Sequence, residues 1–494
     1  MHIELTRRNG IPLPEQIARA FEDRIESGLM EPGERLPSVR DIARRLSVSL
    51  VTASKSFSLL EERGIVVCHQ GRGCYVADRK PERRAPVLNP ADPYRWQLAV
   101  PDYLSRAQLW NLYQNETARL QLHMSAVQKE LLPSREIMRL VQGLMSEDHA
   151  LLTAYGAFQG DERLRDVMAR QLRRVGVRAD AEDVLVTSGA QQGIDLVART
   201  FVGPGDVVVM EAPTYNGAID VFASRGARIV AVPVDKHGLD VSTLARACDR
   251  AKPKLIYTIP TFHNPTGATM PSTRRKQLYE LAESIDCLIV EDDPYGDMYF
   301  YAPPPPPIKS FDATGHVVYI KSYSKLLAPG CRIAAVAASG TVLRRLVAAK
   351  TLADLGSPLL TQKAIYAFLS SSRFPAYTRS LRAILAARYE LVVRLLRKHA
   401  PKDVVWQSAE GGLNLWLKLP AGVADDELYR EAAQAGLALL PGSLCFATEA
   451  PRDRLRVCFS YMPEPLLEES VLLLCRLLRE AKERRAADAA GRRP

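Results

Sequence analysis

With 494 residues, 47% of them hydrophobic, the chain has room for about three ordinary domains, or two with one large, and can bury a substantial core. No apolar run approaches the ~18–20 residues that span a bilayer, and the opening Met-His-Ile-Glu-Leu-Thr-Arg-Arg lacks the apolar core of a secretion signal, so a cytoplasmic, membrane-free protein is expected. The formal charge of +10 permits a polyanionic partner without establishing one, and the eight scattered cysteines, with no Cys-x-x-Cys pair, suit free thiols in a reducing cytosol, not a disulfide framework or a zinc site.

Residues 1–77 read as a small separate unit. Pro14 to Ile25 is amphipathic, with Ile17, Ala20, Phe21 and Ile25 on one stripe. After a turn at Met30-Glu-Pro-Gly-Glu, Ser38 is positioned to cap a second helix, Val39 to Leu46. Ser49 caps a third, whose apolar positions Val51, Phe57, Leu59 and Leu60 run to Arg63, with Gly64 as C-cap. Two short strands, Ile65 to His69 and Cys74 to Ala77, are joined by Gln70-Gly-Arg-Gly73. Helix, helix-turn-helix, hairpin is the winged helix-turn-helix plan. On that plan the helix from Ser49, with Thr52 and Lys55, enters a major groove. Ser38 and Arg40 approach phosphates or bases, and Arg72 with Gly73 forms a wing for a minor groove. Eleven Lys/Arg stand against ten Asp/Glu in this unit, so affinity for double-stranded operator DNA leans on two units per dimer. A winged helix used for protein contacts is the alternative.

Residues 78–117 form a linker, polar and Pro-rich at its start, with one helix expected around Leu104 to Leu120. From about 118, apolar strands alternate with helical segments: 183–187, 207–210, 228–232, 255–259, 288–291, 317–320 and 333–337. Uninterrupted apolar strands between helices indicate a mostly parallel sheet with helices on both faces. The last ~110 residues, opening with a long helix Phe374 to His399, read as a smaller α+β domain. Prolines 303–307 form a stiff loop. The cationic stretch from Lys482 to Pro494 is a solvated, fraying helix end.

The stretch Tyr319-Ile-Lys-Ser-Tyr-Ser-Lys325-Leu-Leu-Ala-Pro-Gly-Cys-Arg332 places Lys325 just past a strand end. A lysine desolvated there loses its proton and forms an imine with an aldehyde. Pyridoxal 5'-phosphate (PLP) is the obvious aldehyde. It needs a phosphate cradle, a carboxylate for its ring nitrogen, partners for its 3'-oxygen and a stacking ring. Thr187-Ser188-Gly189-Ala190 opens a helix and offers backbone N–H groups to a dianion, and Ser322 and Arg332 add a hydroxyl and a guanidinium. Tyr215 follows a strand, Asn264 sits in His263-Asn-Pro-Thr-Gly, and Asp292 and Tyr295 sit in Glu291-Asp-Asp-Pro-Tyr. In an α/β sheet these strand ends converge on one crevice. Each motif alone has an ordinary structural explanation; six in order after the right strands do not.

This series, with Pro-Gly-x-Arg332, resembles the fold-type I aminotransferases over roughly 120–480. The resemblance implies that Lys325 forms the internal aldimine and is the catalytic residue, and that Asp292 pairs with the pyridinium. It implies that Tyr295 and Asn264 hold the 3'-oxygen and that Tyr215 stacks on the ring. Tyr155, in Ala154-Tyr155-Gly156, resembles the tyrosine that reaches the neighbouring subunit's phosphate. Arg456, in Leu455-Arg-Val-Cys-Phe-Ser, resembles the arginine that grips a substrate carboxylate. Arg332-Ile-Ala-Ala departs from the usual Arg-(Ile/Leu)-Gly. The first 77 residues resemble the GntR regulators through Pro12-Leu-Pro-Glu-Gln-Ile, Pro32-Gly-Glu-Arg-Leu-Pro-Ser-Val-Arg40, Leu46-Ser-Val-Ser, Leu60-Glu-Glu-Arg-Gly and Gly71-Arg-Gly-Cys-Tyr-Val. Leu50 stands where that family usually has arginine. Joined in this order, the two parts resemble the MocR subfamily of GntR regulators.

The resemblance implies a PLP-dependent, DNA-binding transcriptional regulator, a head-to-tail homodimer that senses PLP or a small amino compound through aldimine chemistry on Lys325. A catalytically active aminotransferase with an appended DNA-binding module is the alternative. A PLP domain serving only as a dimerisation scaffold is a third.

Overall fold

The computed structural model describes residues 12–26, 30, 33–46, 48–69, 73–77 and 118–490. The chain divides into two compact units, one through Asp102 and one from Tyr103. The expected linker 78–117 lies outside the described residues, and with it most of the helix expected at 104–120. The last residue of that helix, Leu120, is instead in a short strand, Leu120–Gln121, paired with Leu437–Ala438.

The first unit is built from α1 (Leu13–Glu26), α2 (Val39–Arg45), α3 (Leu50–Glu62), β1 (Val66–His69) and β2 (Gly73–Val76). The stripe on α1 buries Ile17 and Phe21 against Ile42, Phe57, Leu60, Val66 and Val76. Phe21 and Phe57 meet edge to face at 5.7 Å. Arg63 straps α3 to α1 through Glu15 at 2.6 Å and Glu22 at 2.9 Å. Ser38 and Ser49 cap α2 and α3 by accepting from the N–H groups of Asp41 and Thr52. Gly64 takes φ +62 one residue beyond the cap, which is Arg63, so the expected C-cap is displaced by one position. The segment at 33–36 lines up beside the hairpin: Gly33 N donates to Val76 O, and Leu36 N to Cys74 O.

One expectation is corrected in this hairpin. Cys68 and Cys74 are directly opposite across the two strands and form a disulfide. Sequence spacing alone gave no sign of it, because the antiparallel register, not the spacing, brings the two side chains together. The six cysteines in the second unit are free.

The second unit is centred on an eight-stranded sheet. Its strand order is Val184–Thr187, Ala334–Ala337, Val317–Ser322, Leu288–Asp293, Leu255–Thr258, Val207–Ala212, Arg228–Asp235 and Gly238–Leu239. Pairing from 317–322 through 228–235 is parallel; Ala334–Ala337 runs antiparallel to both neighbours, and Gly238–Leu239 closes an edge hairpin. Both faces are covered, and this is why the strands lack polar alternation. Val208, Met210, Tyr257, Val318 and Ile320 pack against the helices Ala190–Phe201, Asn216–Ser224 and Gly340–Asp354. Val209, Ile256, Ile289 and Val317 pack on the other face with Val241–Cys248 and Ser272–Ser284. A smaller antiparallel sheet, Val405–Trp406, Asn414–Lys418, Arg454–Cys458 and Leu440–Pro441, packs with the long helices Arg373–His399 and Glu464–Ala490. Among the described residues no helix is long and apolar enough to cross a membrane.

Because Phe57 is 4% exposed at the centre of the first unit, Phe57→Ala is expected to destabilise that unit by about 3–5 kcal/mol. Calorimetry should show its transition move to lower temperature while the transition of the second unit, read by cofactor binding, stays in place.

Candidate functional site

Parallel strands bring their carboxyl ends to one edge of the sheet, and a cavity of about 240 Å³ opens there. Ala190, Tyr215, Asn264, Asp292, Tyr295, Ser322, Lys325, Arg332 and Arg456 all line it. Nine residues spread from 190 to 456 thus share one small space.

Asp292 is 3% exposed. Its Oδ2 accepts from the Tyr257 hydroxyl at 2.6 Å, while its Oδ1 has no partner. Burial pushes this carboxyl up to about 7; the Tyr257 hydrogen bond opposes the shift, and Asp293 and Glu211 add to it. Lys325 shifts the opposite way. Burial first, and then the positive charges of Arg456 and Arg332, pull its ammonium down to about 8. Tyr215 donates to Gln191 Oε1 at 3.1 Å, and burial pushes its phenol up to about 12. Tyr295 shares a 2.7 Å hydrogen bond with Ser125 Oγ. Asn264 Oδ1 accepts from Arg456 Nη1 at 3.2 Å.

The helix at Ala190 starts from Gly189, whose φ is +81 and where an added Cβ would lie 2.2 Å from Arg332 Nη2. Only glycine allows the guanidinium so close. Arg332 itself has φ +48, donates from Nη1 to Ser324 Oγ at 3.2 Å, and reaches Ser188 O at 3.4 Å. Ser188 and Gly189 thus touch the Arg332 guanidinium, and Ala190, next in the chain, lines the cavity. Tyr155 is 86% exposed and stands apart from it.

Several residues that sequence reasoning passed over complete the site. Tyr257 holds Asp292. Ser125 holds Tyr295. Glu211, 1% exposed, accepts from Thr258 Oγ1 at 2.6 Å and Ile259 N at 2.9 Å, and contacts His263 Nε2 at 3.1 Å. That network fixes the turn carrying Asn264. Glu211 and His263 flank quoted motifs and were legible in principle; Tyr257 looked like one more apolar strand residue.

A larger cavity of about 630 Å³ lies by the proline loop. Its buried charges are already paired: Lys321 with Asp297 at 2.7 Å and Asp293 at 3.7 Å. It leaves no buried charge that calls for a ligand.

In the first unit, Arg40, Lys55 and Ser49 are exposed, as are Leu50 at 55% and Val51 at 76%. The Ser38 and Ser49 hydroxyls are engaged as caps, with Asp41 Oδ2 and Thr52 Oγ1 as further partners. Gly73 has φ +103 and lies against the Arg35 guanidinium. Arg72 lies outside the described residues.

The donor set fits PLP. Asp292 Oδ1 is a buried acceptor awaiting a cationic N–H, Lys325 is a desolvated amine, and Arg332 offers charge beside a helix start. Two measurements test this. The rate of PLP attachment should track neutral Lys325, rising with pH and levelling above about 8; levelling only near an ordinary lysine value would place that amine in water. A carboxyl held above its unfolded value costs stability as pH rises from about 4 to about 7. Asp292→Asn should therefore flatten that fall in cofactor-free protein, while losing most of the rise in melting temperature that PLP gives the wild type.

The family model for aminotransferase class I and II matches residues 110–472, and that for the gntR family of bacterial regulatory proteins matches 13–76. Aromatic-amino-acid aminotransferase 1 of Thermococcus litoralis is 33% identical over 71% of this chain and 86% of its own length. The HTH-type transcriptional regulator YisV of Bacillus subtilis is 28% identical over 92% of this chain and 94% of its own. LysN, an α-aminoadipate aminotransferase of Thermus thermophilus solved in complex with N-(5'-phosphopyridoxyl)-L-leucine, aligns with TM-score 0.74 and 29% identity over 78% of this chain and 99% of that one. The cofactor of this fold is pyridoxal 5'-phosphate. The chain thus belongs to the class I and II aminotransferases and carries at its N-terminus a GntR-family regulatory domain, the architecture of the MocR regulators.

Proposed function

We propose that this protein is a PLP-dependent transcriptional regulator acting in the cytoplasm, in which the cavity around Lys325 senses PLP or a small amino compound and the N-terminal unit binds operator DNA. The observation that carries the reading is one of extent. Regulators such as YisV match 92% of this chain, both units included, whereas the aminotransferase relatives match the 71% that holds the cavity.

PLP, when bound, supplies an aldehyde open to primary amines and an electron-withdrawing ring. The chain's own residues then have distinct tasks. Lys325 would hold the cofactor through its side-chain amine, at the position where an incoming amine would compete with it. Asp292 would keep the ring nitrogen protonated, Tyr295 and Asn264 would bind the 3'-oxygen, and Tyr215 would stack on the ring. Ser322, Arg332 and the Ser188-Gly189-Ala190 helix start would hold its phosphate. Tyr155, exposed on its own subunit, reaches the phosphate of a second copy in a head-to-tail homodimer. Arg456 meets a ligand carboxylate.

On the DNA side, α3 presents Ser49, Thr52 and Lys55 to a major groove, with Ser38 and Arg40 nearby and Arg72 and Gly73 in the wing. The domain boundaries we assign are 1–77, 78–117 and 118–494. Ligand state regulates operator binding only if the ligand favours one dimer geometry over another.

A working aminotransferase is the second reading, favoured by one observation: Lys325, Asp292 and Arg456 share the cavity. Loaded protein given amino donors and a 2-oxo acid separates the two. Absorbance change and altered operator affinity without turnover are expected for the regulator, and Lys325→Ala should remove the ligand's effect on operator affinity. Repeated turnover would make it an enzyme. Operator binding indifferent to both PLP and amines would overturn the sensing role.

A further inference from the structure

His123 lies two residues beyond the Leu120–Gln121 strand, on the cavity wall, and is 1% exposed. Neither of its ring nitrogens has a hydrogen-bond partner. A buried imidazole left bare on both nitrogens is costly unless something that binds there satisfies it. Burial, and then the charge of Arg456, pulls its pKa down to about 4, so the ring is neutral and carries one N–H donor and one bare acceptor.

Arg456 has the complementary shortage. It is 3% exposed. Its Nη1 donates to Asn264 Oδ1 and its Nη2 to the backbone oxygen of His123, while its Nε has no partner. Each Nη thus has one N–H engaged by the protein, and Nε is the guanidinium nitrogen left without any partner. A ligand that leaves those bonds intact finds the Arg456 Nε–H and the ring of His123 unpartnered.

We propose that His123 is the second donor for the ligand carboxylate, its ring N–H and Arg456 Nε–H each taking one oxygen, and that this pair selects α-carboxylated amino compounds over the corresponding simple amines. The proposal rests on the reading of this cavity as an amino-compound site. A carboxylate brings acceptor oxygens and no donor, and of the three nitrogens left bare here Arg456 Nε and one imidazole nitrogen each carry a hydrogen to donate. The other imidazole nitrogen accepts from a ligand N–H or from water. His123 is a specificity-determining residue on this view, and Lys325 and Asp292 are untouched by it. A buried water is the rival occupant.

The test uses full-length, PLP-loaded wild type, His123→Phe and His123→Gln. Phenylalanine and phenethylamine, which differ by the carboxylate, are titrated against the cofactor absorbance. The expected result is about tenfold weaker binding of phenylalanine to His123→Phe, phenethylamine held within roughly twofold, and most of the loss recovered by His123→Gln, which keeps an N–H. Parallel losses for both ligands would assign His123 to packing, and unchanged phenylalanine binding would assign the space to water; either overturns the proposal. Thermal stabilisation by 3-phenylpropionate, a carboxylate with no amine, is measured on the same proteins. If no amine alters the absorbance of the wild type, the sensing reading fails. The clamp is then still decided by whether 3-phenylpropionate stabilises the wild type and not His123→Phe; equal stabilisation would sink it.

Discussion

The Asp292 carboxylate is sealed at a strand end with one oxygen held by Tyr257 and the other unpaired, and the cavity is organised around that debt. An ionised carboxylate taken out of water is unfavourable by several kcal/mol unless it is compensated. The same dry crevice acts on Lys325 with the opposite sign, since burial disfavours whichever form is charged. One side chain gains proton affinity and the other loses it. The cavity is therefore primed for a ligand that brings a cationic ring nitrogen to the first and an aldehyde to the second. A PLP ring meets both needs at once.

Holding that carboxylate in place requires the opposite face of the strand. Glu291, Asp292 and Asp293 are consecutive acids, and strand alternation sends the middle one to the cavity and its neighbours the other way. Glu291 accepts from the N–H groups of Ile308 and Lys309 at 2.8 Å each, tying down the end of the proline loop. Asp293 accepts from Gly296 N at 2.6 Å and from the Tyr319 hydroxyl, setting the turn that carries Tyr295. The run of five prolines and the acidic triplet are thus parts of one anchor. Three like residues have three tasks because each faces a different partner.

The N-terminal unit achieves its fold by other means. Its core is a dozen residues closed by an aromatic pair, with Arg63 as a strap and serines as caps. Its near-balanced charge gives little non-specific attraction to a polyanion. The exposed Leu50 and Val51 at the start of α3 suit apolar contact, for example with thymine methyl groups, more than phosphate binding. Such a unit gains most from being presented in pairs.

By itself the sequence determined the order of elements, the covered parallel sheet, the winged helix and most of the polar groups at the strand ends. These are local properties: period, caps, turn residues, and the rule that parallel strands share a carboxyl edge. It did not reveal Tyr257 beneath Asp292, the Cys68–Cys74 pairing, or the bare imidazole of His123 beside Arg456, 333 positions away. Those depend on register between strands and on how remote segments close over one another. A single sequence does not record such distances, because they are set by the packing of the whole sheet and not by any stretch of it.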